Sequence, residues 1–279
     1  MPIHDQGYRR YQGGRTPAGR AWTVIATTGV RMLVRRRGLL ALLLVAWFPF
    51  FARAVQIYAA ANLPQASFLA PTPEMFREFL AGQDIFVFLV AVYAGAGLIA
   101  NDRRANALAL YLARPLTRVE YVFGKLIVLM TFLLLVTGVP ALLLLVVESL
   151  LAGNLVFLRQ NVHLVPAVIL FSLLQALTVG AVVLALSSLS HSSRYVGVLY
   201  AGLVFFTAAI DNVLARVVGD SRWRWISLEN DLSQAANVIF RVPTADTVPV
   251  PVAFGVLAAA VVAAALILER RVRGVEVVT

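Results

Sequence analysis

Long apolar runs alternate with short polar segments along most of this chain. Each run holds about 20 residues, the length that an α-helix needs to cross the hydrocarbon core of a bilayer. The pattern therefore predicts six membrane-spanning helices, at residues 39–60, 85–100, 126–147, 164–186, 195–215 and 250–268. The second run is short, and its helix is expected to begin nearer Ala81. Alternating segments of roughly ten residues, which a membrane β-barrel requires, are not visible.

Composition supports an all-α polytopic membrane protein with six transmembrane helices. Hydrophobic residues make up 60% of the 279 residues and charged residues only 14%, and the mean hydropathy is +0.83. A soluble domain usually has about 25% charged residues. The chain has no cysteine, and its three histidines lie far apart in sequence, so neither a disulfide nor a metal site is expected. The excess of Arg, Ala and Val suggests a GC-rich bacterial genome.

The positions of Lys and Arg predict the orientation. With both termini in the cytoplasm, 17 of the 24 basic residues and five of the 14 acidic residues lie on the inner side. The inner side then carries a net charge of +12 and the outer side −2, as the positive-inside rule requires. We therefore interpret the overall charge of +10 as membrane topology, and no nucleic-acid partner is expected.

The segments outside the spans divide the chain further. Residues 1–17 are expected to form a flexible cytoplasmic tail, and residues 18–37 an amphipathic helix on the inner membrane face. A plain cluster of positive charge is the alternative for the second segment. Residues 38–270 form the six-helix transmembrane domain, and residues 271–279 a cytoplasmic tail. The outer segment 222–241 fits an interfacial or re-entrant helix and a buried loop equally well.

A basic segment, residues 101–125, separates the second and third apolar runs. Its charge density is incompatible with a bilayer core, so we expect it in water or against another protein. Residues 105–113 are rich in Ala and Leu, which predicts that the second span continues as a helix until Pro115 ends it. Thr117 and Glu120 have the spacing of a capping box at the start of the next helix. The sequence thus predicts a rigid helix–turn–helix elbow, with Arg114, Arg118 and Tyr121 near its turn.

The same segment resembles a motif of the permease subunits of ABC-2 type transporters. The run reads GxxLIxxDRRxxALxLYLxRPLxRxEYxxGK, and the matching residues are Gly95, Asp102, Arg103, Arg104, Leu112, Arg114, Pro115, Leu116, Arg118, Glu120, Tyr121, Gly124 and Lys125. The closing residues 269–278 and the six-span layout are also similar. The resemblance covers nearly the whole chain, and the loop motif is its specific part.

The resemblance implies a machine of two parts. Two permease subunits, identical or different, would form the pathway, and two separate ATPase subunits would bind ATP and Mg²⁺ and drive export across a bacterial inner membrane. In this family the loop between the second and third spans carries a coupling helix that docks on the ATPase, which implies this role for residues 112–121. The chain has no GxxxxGK[ST] phosphate-binding loop, so we expect neither catalysis nor a bound cofactor in this subunit.

Simpler interpretations of the loop charges stay open at this level. Asp102, Arg103 and Arg104 fit the solvated end of a helix, and Arg114 and Arg118 fit contacts with lipid phosphates. Glu120 is most economically a capping residue. The short loop 187–194 is a candidate for a second cytoplasmic contact or a plain connection.

Polar residues within the spans are few. They are candidates for lining a pathway, or for hydrogen bonds between helices, and they are Ser172, Gln175, Thr178, Glu148, Asp211 and Asn212. A secondary transporter is a rival interpretation, but it would usually show broken helices in paired repeats or buried carboxylates near the midplane. An intramembrane metalloprotease would need a motif such as HExxH. A membrane scaffold or assembly factor that engages an ATPase without transport is the remaining alternative.

Overall fold

The computed structural model describes residues 20–107, 117–153, 155–217, 221–243 and 248–272, and these ranges contain helices and no strand. We number the α-helices of the described chain in order. They are α1 (Ala21–Val34), α2 (Arg37–Ala46), α3 (Phe48–Asn62), α4 (Pro73–Gly82), α5 (Asp84–Val90), α6 (Gly97–Arg104), α7 (Arg118–Val136), α8 (Gly138–Leu151), α9 (Val156–Gln160), α10 (Leu164–Leu189), α11 (Ser193–Val217), α12 (Leu228–Phe240) and α13 (Val250–Arg271).

Within the described residues, six helical segments are long and apolar enough to cross a membrane, as the sequence predicts. They are Arg37–Asn62, Pro73–Arg104, Arg118–Leu151, Leu164–Leu189, Ser193–Leu214 and Val250–Arg271. The second and third spans, at 32 and 34 residues, are much longer than their apolar cores. The helical start of the third span agrees with the capping box predicted at Thr117, whereas the second span begins at Pro73 and not near Ala81. Hydropathy marks the bilayer-crossing part of a helix and not its polar extensions. The placement of both termini in the cytoplasm stays a prediction.

Several spans are bent at identifiable residues. The first span breaks at Trp47 between α2 and α3, and the third breaks at Thr137 between α7 and α8. In the second span a π-helical turn, Ala91–Gly95, joins α5 to α6. Such turns insert an extra residue into the helix and redirect its axis.

The second span ends earlier than the sequence predicts. Its helix stops at Arg104, and Asn106 has a φ of 50°, in the left-handed region. Asparagine adopts this conformation more readily than most residues and commonly ends a helix. The prediction of one continuous helix through residues 105–113 is therefore wrong at its start. Residues 108–116 lie outside the described residues.

The fourth span, α10, forms the centre of the bundle. It packs against α6, α7, α12 and α13, and 16 of its 26 residues are buried. A helix that is apolar all round, as this one is, belongs in such a position. In the segment 222–241, α12 forms a helix and favours that alternative over a buried loop, and it packs against α13, α10 and α4.

Candidate functional site

The third span begins with a capping box, as the sequence predicts. The Thr117 hydroxyl oxygen accepts a hydrogen bond from the Glu120 backbone N–H at 3.2 Å. The Glu120 carboxylate in turn accepts one from the Thr117 backbone N–H at 2.9 Å. Because both donors belong to the unpaired first turn of α7, this exchange fixes where the helix starts.

Glu120 also reaches the start of a second helix. Its Oε1 accepts a hydrogen bond from the backbone N–H of Ala21, the first residue of α1, at 3.3 Å. One carboxylate therefore lies at the N-termini of α1 and α7, where helix dipoles favour negative charge. The sequence predicted the capping role of Glu120 but not this link, because Ala21 and Glu120 are 99 residues apart.

The helix α1 lies lengthwise against the beginning of α7. The Trp22 and Phe123 rings meet edge to face with their centroids 5.2 Å apart. Ile25 packs over Gly124, and Gly29 packs against Val128. Later residues of α1 contact later residues of α7, so the two helices run parallel. The helix predicted for residues 18–37 is thus confirmed as a helix from Ala21 to Val34, and its position on the membrane face stays a prediction.

A cluster of three side chains joins the end of the second span to the start of the third. Asp102 Oδ2 lies 2.6 Å from Lys125 Nζ and accepts a hydrogen bond from the Tyr121 hydroxyl at 2.7 Å. Lys125 Nζ also lies 5.5 Å from the centroid of the Tyr121 ring, within cation–π distance. The ion-paired side chains are only 19% and 14% exposed. Asp102 is therefore a structural partner of α7 and not a freely solvated helix end.

A second set of hydrogen bonds joins the second span to the fourth. The Arg103 guanidinium donates to the Ser188 carbonyl. The Ser187 hydroxyl donates to the Ala96 carbonyl at 2.8 Å and accepts from the backbone N–H groups of Ile99 and Ala100. Ser187 and Ser188 are buried. At these two positions, the segment 187–194 connects spans and is not a free cytoplasmic surface.

The remaining residues that were predicted to contact the ATPase fall into two groups, those exposed in the structure and those outside the described residues. Arg104 and Arg118 are exposed. Four others, Leu112, Arg114, Pro115 and Leu116, lie outside the described residues. The described part of the set thus holds two free surface arginines beside a tightly bonded framework.

Within the described bundle, one of the six predicted polar residues lines a cavity between the spans. Gln175 does so, and it donates a hydrogen bond from Nε2 to Asp84 Oδ1 at 2.7 Å. The cavity has a volume of about 370 Å³. Ser172 and Thr178 are buried nearby on α10, and their hydroxyl oxygens have no hydrogen-bond partner among the described residues.

The other three predicted residues lie apart from this cavity. Glu148 is buried in α8 beside Ser149. Asp211 accepts a hydrogen bond from Asn230 at 2.8 Å, and its other oxygen lies 4.0 Å from Arg224 Nε. Asn212 is exposed and bonds to the carbonyl one turn earlier in its own helix.

Two acidic residues of the cavity, Asp84 and Glu229, were not among the predicted site residues. Asp84 precedes the apolar run that begins at Ile85, so it was counted with the outer charges and not among the polar residues of the spans, although the helix was expected to begin nearer Ala81. In the structure the span begins at Pro73, so Asp84 lies well inside it. An acidic residue at the start of a long apolar run is a candidate functional residue. This was the feature of the sequence that could have identified Asp84.

Comparison with known protein families identifies the family of this chain. Residues 23–222 match the family described as ABC-2 family transporter protein. The chain belongs to the ABC-2 transporter family. The match extends from α1 through the fifth span, and it confirms the resemblance seen in the loop motif. No curated protein matches the sequence closely enough to be reported.

Membership in this family agrees with the six membrane-spanning segments. This ABC-2 protein is a multi-pass membrane protein with a permease role in transport. In the described part of the chain, no group of three or more His, Cys, Asp or Glu residues is arranged to hold a metal ion.

Proposed function

We propose that this ABC-2 protein is the transmembrane subunit of an ATP-driven exporter in a bacterial inner membrane. It would act as a dimer, with itself or with a second permease, and two separate ATPase subunits would bind ATP and Mg²⁺. The segment 101–125 would receive the force of ATPase closure. The proposal rests on the contacts made by Asp102, Arg103, Glu120 and Lys125 at the two ends of that segment. We call these contacts the bonded framework.

The framework would transmit a displacement because its bonds join four helices. Asp102 and Lys125 link α6 to α7, Arg103 links α6 to α10, and Glu120 links α7 to α1. A hydrogen bond to a charged group contributes about 1.5–3 kcal/mol. Several such bonds at a half-buried site favour movement of these helix ends as one body over bending of a single one.

Arg118 offers the sharpest test of ATPase docking. It is exposed at the first position of α7, so Arg118→Glu reverses a surface charge without removing a described contact. A glutamate in the first turn of a helix is favoured by the helix dipole, so the helix should persist. We expect Arg118→Glu to weaken co-purification with the partner ATPase, and to lower ATP-dependent transport.

Arg270→Glu is the matched control. Arg270 is also exposed, and the charge pattern predicts it on the same side of the membrane, but it belongs to the sixth span. We expect ATPase binding to survive this change. Equal ATPase binding and equal transport in the wild type and both variants would contradict the assignment of the loop.

Glu120→Ala tests the framework itself. This change removes the carboxylate that accepts hydrogen bonds from the backbone N–H groups of Thr117 and Ala21. The Thr117 hydroxyl keeps its bond to the backbone N–H of residue 120. We expect intact membrane insertion, a lower melting temperature and reduced coupling. ATPase binding without ATP-dependent flux in the wild type would favour the scaffold alternative, and flux that needs no ATPase would favour a secondary transporter.

A further inference from the structure

A cavity opens between the second, fourth and fifth spans, and α12 and the sixth span complete its wall. Its volume is about 370 Å³, within the range of small-molecule sites. Gln175 lies 12 residues before Ser187 on α10, so the cavity is roughly 18 Å along the helix from the Ser187 contacts. It is therefore distant from the loop 101–125.

The charged groups of this cavity are all acidic. Asp84 and Glu229 line it, and no Lys, Arg or His among the described residues does. Gln175 is only 2% exposed, and its Oε1 has no hydrogen-bond partner in the described chain. Its Nε2 already donates to Asp84, so the amide brings a second polar group beside the Asp84 carboxylate. The polar groups thus favour a ligand that carries positive charge and N–H or O–H donors.

The rest of the wall is apolar and partly aromatic. Phe88 stacks on Tyr200 with ring centroids 5.5 Å apart, and Phe205 meets Phe88 edge to face at 5.4 Å. All three rings line the cavity, together with Val, Leu and Ile side chains. Aromatic faces attract organic cations, whereas an inorganic cation such as Ca²⁺ needs six to eight oxygen ligands. The wall is too poor in oxygen for an inorganic ion.

The cavity also communicates with the outside of the bundle. Two of its lining residues, Ile85 and Phe205, are 53% and 60% exposed on the surface of the protomer. Both belong to segments long and apolar enough to cross a membrane, so the opening lies on the surface of the protomer within these segments. A ligand that partitions into the bilayer would reach the cavity from there.

We propose that this cavity binds an amphipathic organic cation, in which an ammonium or delocalised cationic group is attached to an aromatic or aliphatic body. The cationic group lies between Asp84 and Glu229, and the body packs on Phe88 and Tyr200. The interpretation of this cavity as a cargo site rests on the transport function proposed above. Binding of cations to the cavity can be measured independently of transport.

The test uses the full-length protein, purified in detergent, and two lipophilic cations. Binding of rhodamine 6G is followed by fluorescence polarisation, and tetraphenylphosphonium is added as a competitor. A neutral dye, Nile red, and an anionic dye, fluorescein, serve as probes of hydrophobic partitioning and of charge. We expect saturable, mutually competitive binding of the two cations and no competition from fluorescein.

Neutral variants then locate the site. Asp84→Asn and Glu229→Gln keep the size of each side chain, and we expect each to weaken binding of the cations about tenfold, because an opposite charge on the cavity wall is lost. Glu78→Gln is the matched control, since Glu78 pairs with Arg53 at an exposed site outside the cavity. Affinity for the cations should be unchanged there. Melting temperatures of all three variants identify any failure to fold.

The outcomes separate the cation site from the transport role. Absence of saturable binding for both cations, or unchanged affinity in folded Asp84→Asn and Glu229→Gln proteins, overturns the site. Equal competition by fluorescein overturns its charge selectivity. Cation binding that responds to both substitutions, in a protein with no ATP-dependent flux, supports the site and contradicts the exporter proposal alone.

Discussion

Gly124 is the point where the packing of α1 on α7 can be tested most directly. A Cβ atom at this position would lie 2.9 Å from Ile25 Cβ and 3.0 Å from the backbone carbonyl oxygen of Trp22. Favourable contacts between carbon atoms occur at about 3.5–4.0 Å. A backbone oxygen cannot rotate away as a side chain can, so Gly124→Ala forces α1 to move away from α7.

Two opposing effects set the size of the change. An additional methyl group in a well-packed contact costs about 1–3 kcal/mol. Replacing glycine by alanine inside a helix contributes about 0.5–1 kcal/mol in the other direction. We therefore expect Gly124→Ala to destabilise the protein by up to about 2.5 kcal/mol. The displacement also threatens the bond from the Ala21 N–H to Glu120.

Gly255→Ala isolates the packing contribution. Gly255 also lies inside a helix, α13, but a Cβ atom there would meet no atom within 4 Å. This control should gain the helix-propensity contribution alone. The difference between the two variants is then the packing cost, about 1–3 kcal/mol, which corresponds to roughly 2–12 °C in melting temperature for a protein of this size.

The assay is thermal unfolding in detergent, followed by intrinsic tryptophan fluorescence. We expect Gly124→Ala to melt below Gly255→Ala, and Gly255→Ala to melt at or above the wild-type temperature. Equal melting temperatures for the two alanine variants would refute the close contact of α1 with α7.

Two further predictions concern other contacts. Gly29→Cys with Val128→Cys should form a disulfide on mild oxidation, because a Cβ at Gly29 would lie 3.6 Å from Val128 Cβ, a separation that suits the bond. Asp231→Asn should stabilise the protein more at pH 8 than at pH 5, by about 1–3 kcal/mol in melting experiments at the two pH values. Burial raises the pKa of Asp231 from 3.8 to about 7. The wild type therefore loses stability as the pH rises from the lower to the higher of these two pKa values, and loses no more above the higher one.

Each of these experiments has its own control. The chain contains no native cysteine, so a shift in gel mobility that a reductant reverses reports the engineered pair alone. Gly29→Cys with Leu135→Cys lies about 10 Å further along α7 and should stay unlinked; equal linking of both pairs would contradict the parallel packing. For Asp231, whose two carboxylate oxygens have no partner among the described residues, a pH-independent effect of Asp231→Asn would argue against a buried, protonated carboxyl.

Features with a local cause were predictable from the sequence. Six apolar runs of bilayer length predicted six spans, because the cost of placing polar groups in hydrocarbon acts on each segment separately. The capping box at Thr117 and Glu120 was also predictable, since its two side chains are three residues apart. The helix end at Asn106 was missed, because the high helix propensity of the following Ala and Leu residues concealed it.

Contacts between distant helices were decided only by the tertiary structure. Asp84 meets Gln175 across 91 residues of sequence, and Ala21 meets Glu120 across 99. Inside a membrane, hydrophobicity does not distinguish the face of a helix that meets lipid from the face that meets another helix. The sequence by itself therefore determined the spans, the family motif and the capped start of the third span. The fold determined which small residues let α1 approach α7, and which acidic groups converge on one cavity.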